Sequence, residues 1–113
     1  MLTTYFKSQS TVARYRSGSA GPFLDQFISW LSDRGYQWTS IRHHVREVAR
    51  FATWCGAVGL GSAPPNQASL AKLLAHLTEQ GCERYACGLY LHIYQSARVF
   101  VRFLEEIGVA RPV

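Results

Sequence analysis

Apolar residues recur at helical spacing in four stretches of the chain. Phe23, Leu24, Phe27, Ile28 and Leu31 fall on one face of a helix. Gly21-Pro22 precedes them, proline suits a first helical turn, and Gly35 supplies a stop, so a helix is predicted over about 22–34. Ile41, Val45, Val48, Ala52 and Cys55 then repeat at intervals of four, three, four and three. With Thr39 or Ser40 as cap and Gly56 and Gly59 beyond the end, the second helix is predicted over about 40–55. Leu70, Leu73, Leu74 and Leu77 form a third stripe, with Asn66 as cap and Gly81 as terminator, over about 67–80. A last helix begins between Arg84 and Gly88. It runs through Tyr90, Ile93, Ala97, Phe100, Val101, Leu104 and Ile107 to Gly108.

Between these stretches the chain reads as loop. GLGSAPPNQAS is rich in Gly, Pro and Ser. Residues 1–21 lack clear periodicity, with room for a short helix around Ser10–Tyr15, and are expected as a basic, mostly irregular N-terminal arm. No segment alternates strictly with period two, and no fixed-period repeat exists, so the expected class is all-α with four helices packed around the stripes. A chain of 113 residues with 48% apolar residues is expected to form one domain with a real core.

Composition narrows the function. No stretch is long and apolar enough for a membrane span, and the start of the chain lacks a secretory pattern, so a cytoplasmic location is the default expectation. Three cysteines, Cys55, Cys82 and Cys87, argue for reduced thiols rather than a disulfide framework. The formal net charge is +5 and the pI is near 9.5. The excess is local: Lys7, Arg14 and Arg16 stand without an acid in residues 1–21, and Arg42, Arg46 and Arg50 face only Glu47 in residues 36–56. Such clustering favours a polyanionic partner.

At 100° per residue, Arg42, Arg46 and Arg50 lie opposite the apolar stripe of their helix, with His43 between them. A helix fits the major groove of duplex DNA, and arginine can bond a phosphate or a guanine edge. The blander reading of the same ridge is a solvated helix face. On the last helix Gln95, Arg98 and Arg102 share one side, with His92 at its edge, and the same two readings apply. Tyr36, Trp38, Trp30 and Trp54 read as packing residues, with Trp38 against a DNA backbone as the alternative, and Tyr85, Tyr90 and Tyr94 read as core or rim. No phosphate loop is present, since GAVGLG follows a helix and lacks the lysine. The acids are few and scattered, without a paired-carboxylate arrangement. Cys82-x4-Cys87 with Cys55 and His76 is a poor zinc set, because no C-x2-C pair exists and Cys55 belongs to a core stripe. No cofactor, metal or small-molecule substrate is expected.

The order of features in FLDQFISWLSDRGYQWTSIRHHVREVARFATWC and YLHIYQSARVFVRFLEEIGVARP resembles the core-binding, SAM-like domain of tyrosine recombinases and phage integrases. Ser40-Ile41 stands at the family's opening of the second helix, Trp54-Cys55 at its aromatic-aliphatic end with Cys in place of the usual Leu. Arg98, Phe100, Phe103 and Leu104 match the last helix, and Pro112 stands where a linker to the catalytic domain begins. The resemblance covers about residues 22–112. It implies a four-helix domain of two helical hairpins that grips duplex DNA as half of a clamp, for DNA integration and recombination. Its second and fourth helices would approach the major groove, which selects Arg42, His43, Arg46, Arg50, Gln95, Arg98 and Arg102. The strand-breaking tyrosine chemistry would lie in an absent catalytic domain, so this chain is expected not to be an enzyme. His43-x-x-Arg46 imitates a catalytic signature of the family, but it sits on an early amphipathic helix without the other site residues. A full-length parent would be tetrameric on DNA, through contacts that often use the catalytic half, which is compatible with a monomeric isolated domain. The rival readings are a helical protein-interaction module with solvated basic faces and a helix-turn-helix regulator. The long loop after the second helix disfavours the latter.

Overall fold

A computed structural model describes residues 2–60, 63–79 and 88–110, with side chains of the last segment described from His92. The described residues are mostly helical and contain no strand. Six α-helices follow one another: α1 (Leu2–Tyr5), α2 (Gln9–Ser17), α3 (Leu24–Asp33), α4 (Trp38–Ala57), α5 (Gln67–Glu79) and α6 (Gly88–Glu106). A 3₁₀ turn, Gly21–Phe23, leads into α3 with Pro22 near its start. None of these helices is long and apolar enough to cross a membrane.

The four expected helices exist, with shifted ends. The first proline-led stretch divides into the 3₁₀ turn and α3. The second helix starts at Trp38, with Gln37 in extended conformation before it and no side-chain cap, so neither Thr39 nor Ser40 caps it. Asn66 does cap α5: its Oδ1 accepts from Ser69 N–H at 3.0 Å, and Ser69 Oγ accepts from Asn66 N–H at 3.3 Å. Gly35 and Gly108 follow α3 and α6 at φ of +83° and +82°, the left-handed conformation that ends a helix. The expected start of the last helix before Gly88 lies outside the described residues.

Residues 2–17 correct the expectation of a mostly irregular arm, while the short helix allowed around Ser10–Tyr15 lies within α2. They form α1 and α2, and Leu2, Phe6 and Val12 are buried in the same core as α3, α4 and α6. Helices of four and nine residues cannot hold themselves together in water. Docking supplies the missing stability: Leu2 N–H donates to Asp25 Oδ1 at 2.8 Å, Arg42 Nε donates to the Tyr5 carbonyl at 3.1 Å, and Phe6 meets Tyr15 edge-on at 5.1 Å. Burial raises the Asp25 pKa, but the Leu2 bond and the charge of Arg16 contribute to an opposing pull that outweighs it and leaves Asp25 below its ordinary value.

α4 and α6 pack against each other and separate two cores. One joins α1, α2 and α3 to them and is centred on Phe27, Phe100 and Phe103. The other joins them to α5 through Phe51, Cys55, Leu70, Leu73, Leu77, Ala97 and Val101. α3 contacts α4 and α5 contacts α6. The ends of α3 and α6 are tied together, with Trp30 Nε1 donating to Glu106 at 2.8 Å and Arg34 donating to both oxygens of the same carboxylate at 3.1 and 2.9 Å.

Candidate nucleic-acid interface

The long helix α4 carries a wide apolar stripe. Ile41, Val45, Val48, Ala52 and Cys55 are all buried as the spacing predicts, and Ala49 and Phe51 extend the buried face on either side. Less of the helix is therefore left for charge. Arg42 is half-buried and pinned by its bond to the Tyr5 carbonyl, with its guanidinium 5.3 Å from the Phe6 ring and 5.8 Å from Trp38. Arg50 is exposed but ion-paired at 3.2 Å with Glu47, which is itself only 2% exposed. Glu47 Oε2 has no hydrogen-bond partner, so Arg50 is what compensates this buried carboxylate. Arg46 has no carboxylate partner among the described residues.

The cations of α4 meet those of the N-terminal segment. Between α2 and α4 lie two adjoining hollows of about 230 and 520 Å3. Arg14, Tyr15 and Arg46 line both, Lys7 and Arg42 line the smaller, and Arg50 lines the larger. Among the described residues no carboxylate lines either. Arg16 points elsewhere, to Asp25 at 3.4 Å.

On α6, Gln95, Arg98 and Arg102 are exposed as expected and line a third hollow of about 620 Å3 against α5, with Gln67, Tyr94 and Glu105. Arg98 lies 5.9 Å from the Tyr94 ring centroid, and Gln67 donates to Glu105 at 2.9 Å. This hollow shares no lining residue with the two beside α2. The seven sequence-selected residues are thus divided: Arg42, Arg46 and Arg50 toward α2, Gln95, Arg98 and Arg102 toward α5. His43 stands between the sets, its ring 5.2 Å from His92 of α6.

His43 belongs to an imidazole cluster that joins α4 to α6. His44 lies 5.8 Å from it, shares a 2.8 Å hydrogen bond with Ser96 Oγ, and meets the Tyr36 ring at 5.5 Å. Burial, and then the neighbouring His43, hold the His44 pKa below its ordinary 6.5. The unfolded chain therefore takes up a proton below pH 6.5 that the folded chain resists, and stability contributed by neutral His44 is lost as pH falls through that value. Melting temperature should drop between about pH 7.5 and about 5.5. In His44→Gln that drop should be shallower; an unchanged profile would rule out His44 as its source.

Trp38 is 51% exposed, stacked on Tyr5 at 5.6 Å, and Tyr36 is also exposed, so the two lie at the rim. Trp30 packs between helices as expected, and Trp54 is half-buried between Phe51 and His76. Cys55 is buried, which pushes its thiol up to about 11. Among the described residues no three His, Cys, Asp or Glu side chains come together as a metal site. Cys82, Cys87 and Tyr85 lie outside the described residues. Sequence reasoning missed Glu47 as a buried anion, although its spacing of three from Arg50 was a signal. It placed Lys7 and Arg14 in an arm rather than beside Arg46.

Compared with known proteins, the chain matches no protein-family model, no curated protein and no solved structure.

Proposed function

We propose that this chain is a DNA-binding module, the core-binding half of a site-specific tyrosine recombinase, with α3 to α6 as its SAM-like four-helix unit. The observation that carries the reading is selective pairing. Arg16, Arg34 and Arg50 are ion-paired. Arg46 on α4 and Arg98 and Arg102 on α6, the two helices that the resemblance turns toward DNA, have no carboxylate partner among the described residues. Phosphates would take that place, which fixes register without reading sequence. Gln95, exposed beside Arg98, is the best candidate for a base edge. Strand cleavage and rejoining would belong to a catalytic unit outside these residues.

Fluorescence anisotropy of a labelled duplex tests this. With about four to six phosphate contacts, log affinity should fall against log salt with a slope of about −4 to −5. Arg46→Glu combined with Arg98→Glu should weaken binding about tenfold or more at about 50 mM salt, with helicity by circular dichroism unchanged. A wild-type chain that ignores duplex DNA at that salt would favour a helical protein-interaction module instead.

A further inference from the structure

The α2–α4 side of the molecule differs from every other charged region described above. Elsewhere cations are ion-paired, as Arg16 with Asp25 and Arg34 with Glu106, or, as Arg98 and Arg102, are unpaired but share their hollow with Glu105. In the smaller α2–α4 hollow, Lys7, Arg14, Arg42 and Arg46 converge on about 230 Å3 and no carboxylate of the described residues joins them. Four like charges around one hollow repel one another, and a bound anion would relieve that repulsion. Ser8 and Thr11 add hydroxyls to the same lining.

The arrangement is also held in place. Arg42 uses one of its five N–H groups on the Tyr5 carbonyl and rests against two aromatic rings. Its remaining donors have no partner among the described residues. Arg14 lies 5.6 Å from the Tyr15 ring centroid, and that ring in turn packs on Phe6. Arginines fixed in this way lose little freedom when they bind, and the planar fork suits phosphate oxygens. The hollow exists only because α1 and α2 dock on α4. A disordered basic arm would offer the same charge without this geometry.

We infer that α2 is a working part of the DNA surface: Lys7, Arg14 and Arg46, with Arg42 behind them, seat one backbone phosphate of duplex DNA in the α2–α4 hollow. This rests on the DNA-binding reading and deepens it. The contact would lie to one side of the α4–α6 faces and would fix the angle at which α4 meets the duplex. A hollow that two helices build from arginines and a lysine recognises the phosphate rather than a base.

Salt titration of the full chain on a labelled duplex separates this from diffuse attraction. Arg14→Gln and Lys7→Gln should each make the log–log slope shallower, by about 0.9 where one phosphate contact is lost outright. The advantage of wild type over Arg14→Gln should therefore shrink about 3.5-fold between about 50 and about 200 mM salt. Arg14→Lys, which keeps the charge, should restore most of the slope. Arg16→Gln removes a neighbouring cation that does not line the hollow, and it should leave the slope unchanged. Equal effects of Arg14→Gln and Arg16→Gln would overturn the phosphate seat in favour of net charge. So would a wild-type slope in Arg14→Gln with intact helicity. In both cases the Arg46 and Arg98 variants would still report on the α4–α6 reading. Absence of wild-type binding at about 50 mM salt would overturn both.

Discussion

Phe100→Ala should lower the unfolding free energy by about 3–5 kcal/mol, the range for deleting a buried aromatic ring. Phe100 is fully buried on α6, meets Phe27 of α3 edge-on at 4.9 Å, and lies 5.8 Å from Phe103. Phe27 also touches Phe103 at 5.3 Å and Trp30 at 6.2 Å, so Phe100 is the inner member of an aromatic set that joins two helices distant in sequence. Its removal loses transfer energy, leaves a cavity that rigid ring neighbours cannot fill, and breaks ring–ring contacts worth about 0.5–1.5 kcal/mol each. A small domain is stable by only about 5–15 kcal/mol, so the variant should sit close to unfolding at 37 °C. Urea denaturation followed by circular dichroism reads this as a lower midpoint with an unchanged slope. Phe100→Leu should lose much less. A loss below about 1 kcal/mol for the alanine variant would mean that α3 and α6 are not joined through this ring.

The aromatic set was half legible from the sequence. Phe27 and Phe100 stood on their stripes, because a period near 3.6 is a local property that twelve or more residues reveal. The contact between them is not local, and no spacing rule supplies it. The same limit governs the charged residues. Arg98, Arg102 and Gln95 are exposed as helical geometry requires, whereas Arg46 is half-buried beside α2 and Arg42 is tied to a carbonyl 37 positions earlier. α1 and α2 are too short to show periodicity, and their order comes from docking on Asp25, Arg42 and the shared core rather than from propensity. The start of α4 moved from Ser40 to Trp38 because it forms without a side-chain cap, which removes the signal that a cap residue gives. Glu47 was hidden by a different effect. A carboxylate beside an apolar stripe reads as solvated unless its partner on the next turn, Arg50, is considered with it.

Gly21→Ala is expected to be at least as damaging as an overpacked core, about 3 kcal/mol or more, for a reason that composition does not show. Gly21 is buried where the chain turns from α2 into α3, and its N–H donates to the Gly18 carbonyl at 3.0 Å. A Cβ there would stand 2.0 Å from the Arg16 carbonyl oxygen, 2.5 Å from its carbon and 2.8 Å from Arg16 Cα. All three are backbone atoms, so no rotamer change relieves the overlap, and the last turn of α2 must move away from α3. That shift pulls on the Asp25–Arg16 pair and on the docking of Arg14 beside Arg46. Gly56→Ala is the matched control: a Cβ there meets nothing within 4 Å, and in the last turn of α4 alanine should be neutral or stabilising by up to about 1 kcal/mol. Thermal melts of the two variants side by side decide the matter. If Gly21→Ala melts with wild type, α2 does not rest on α3 at this point. If it melts far lower while Gly56→Ala does not, the N-terminal segment is part of the folded unit. Under conditions where Gly21→Ala remains folded, its DNA affinity should then fall in the same direction as that of Arg14→Gln.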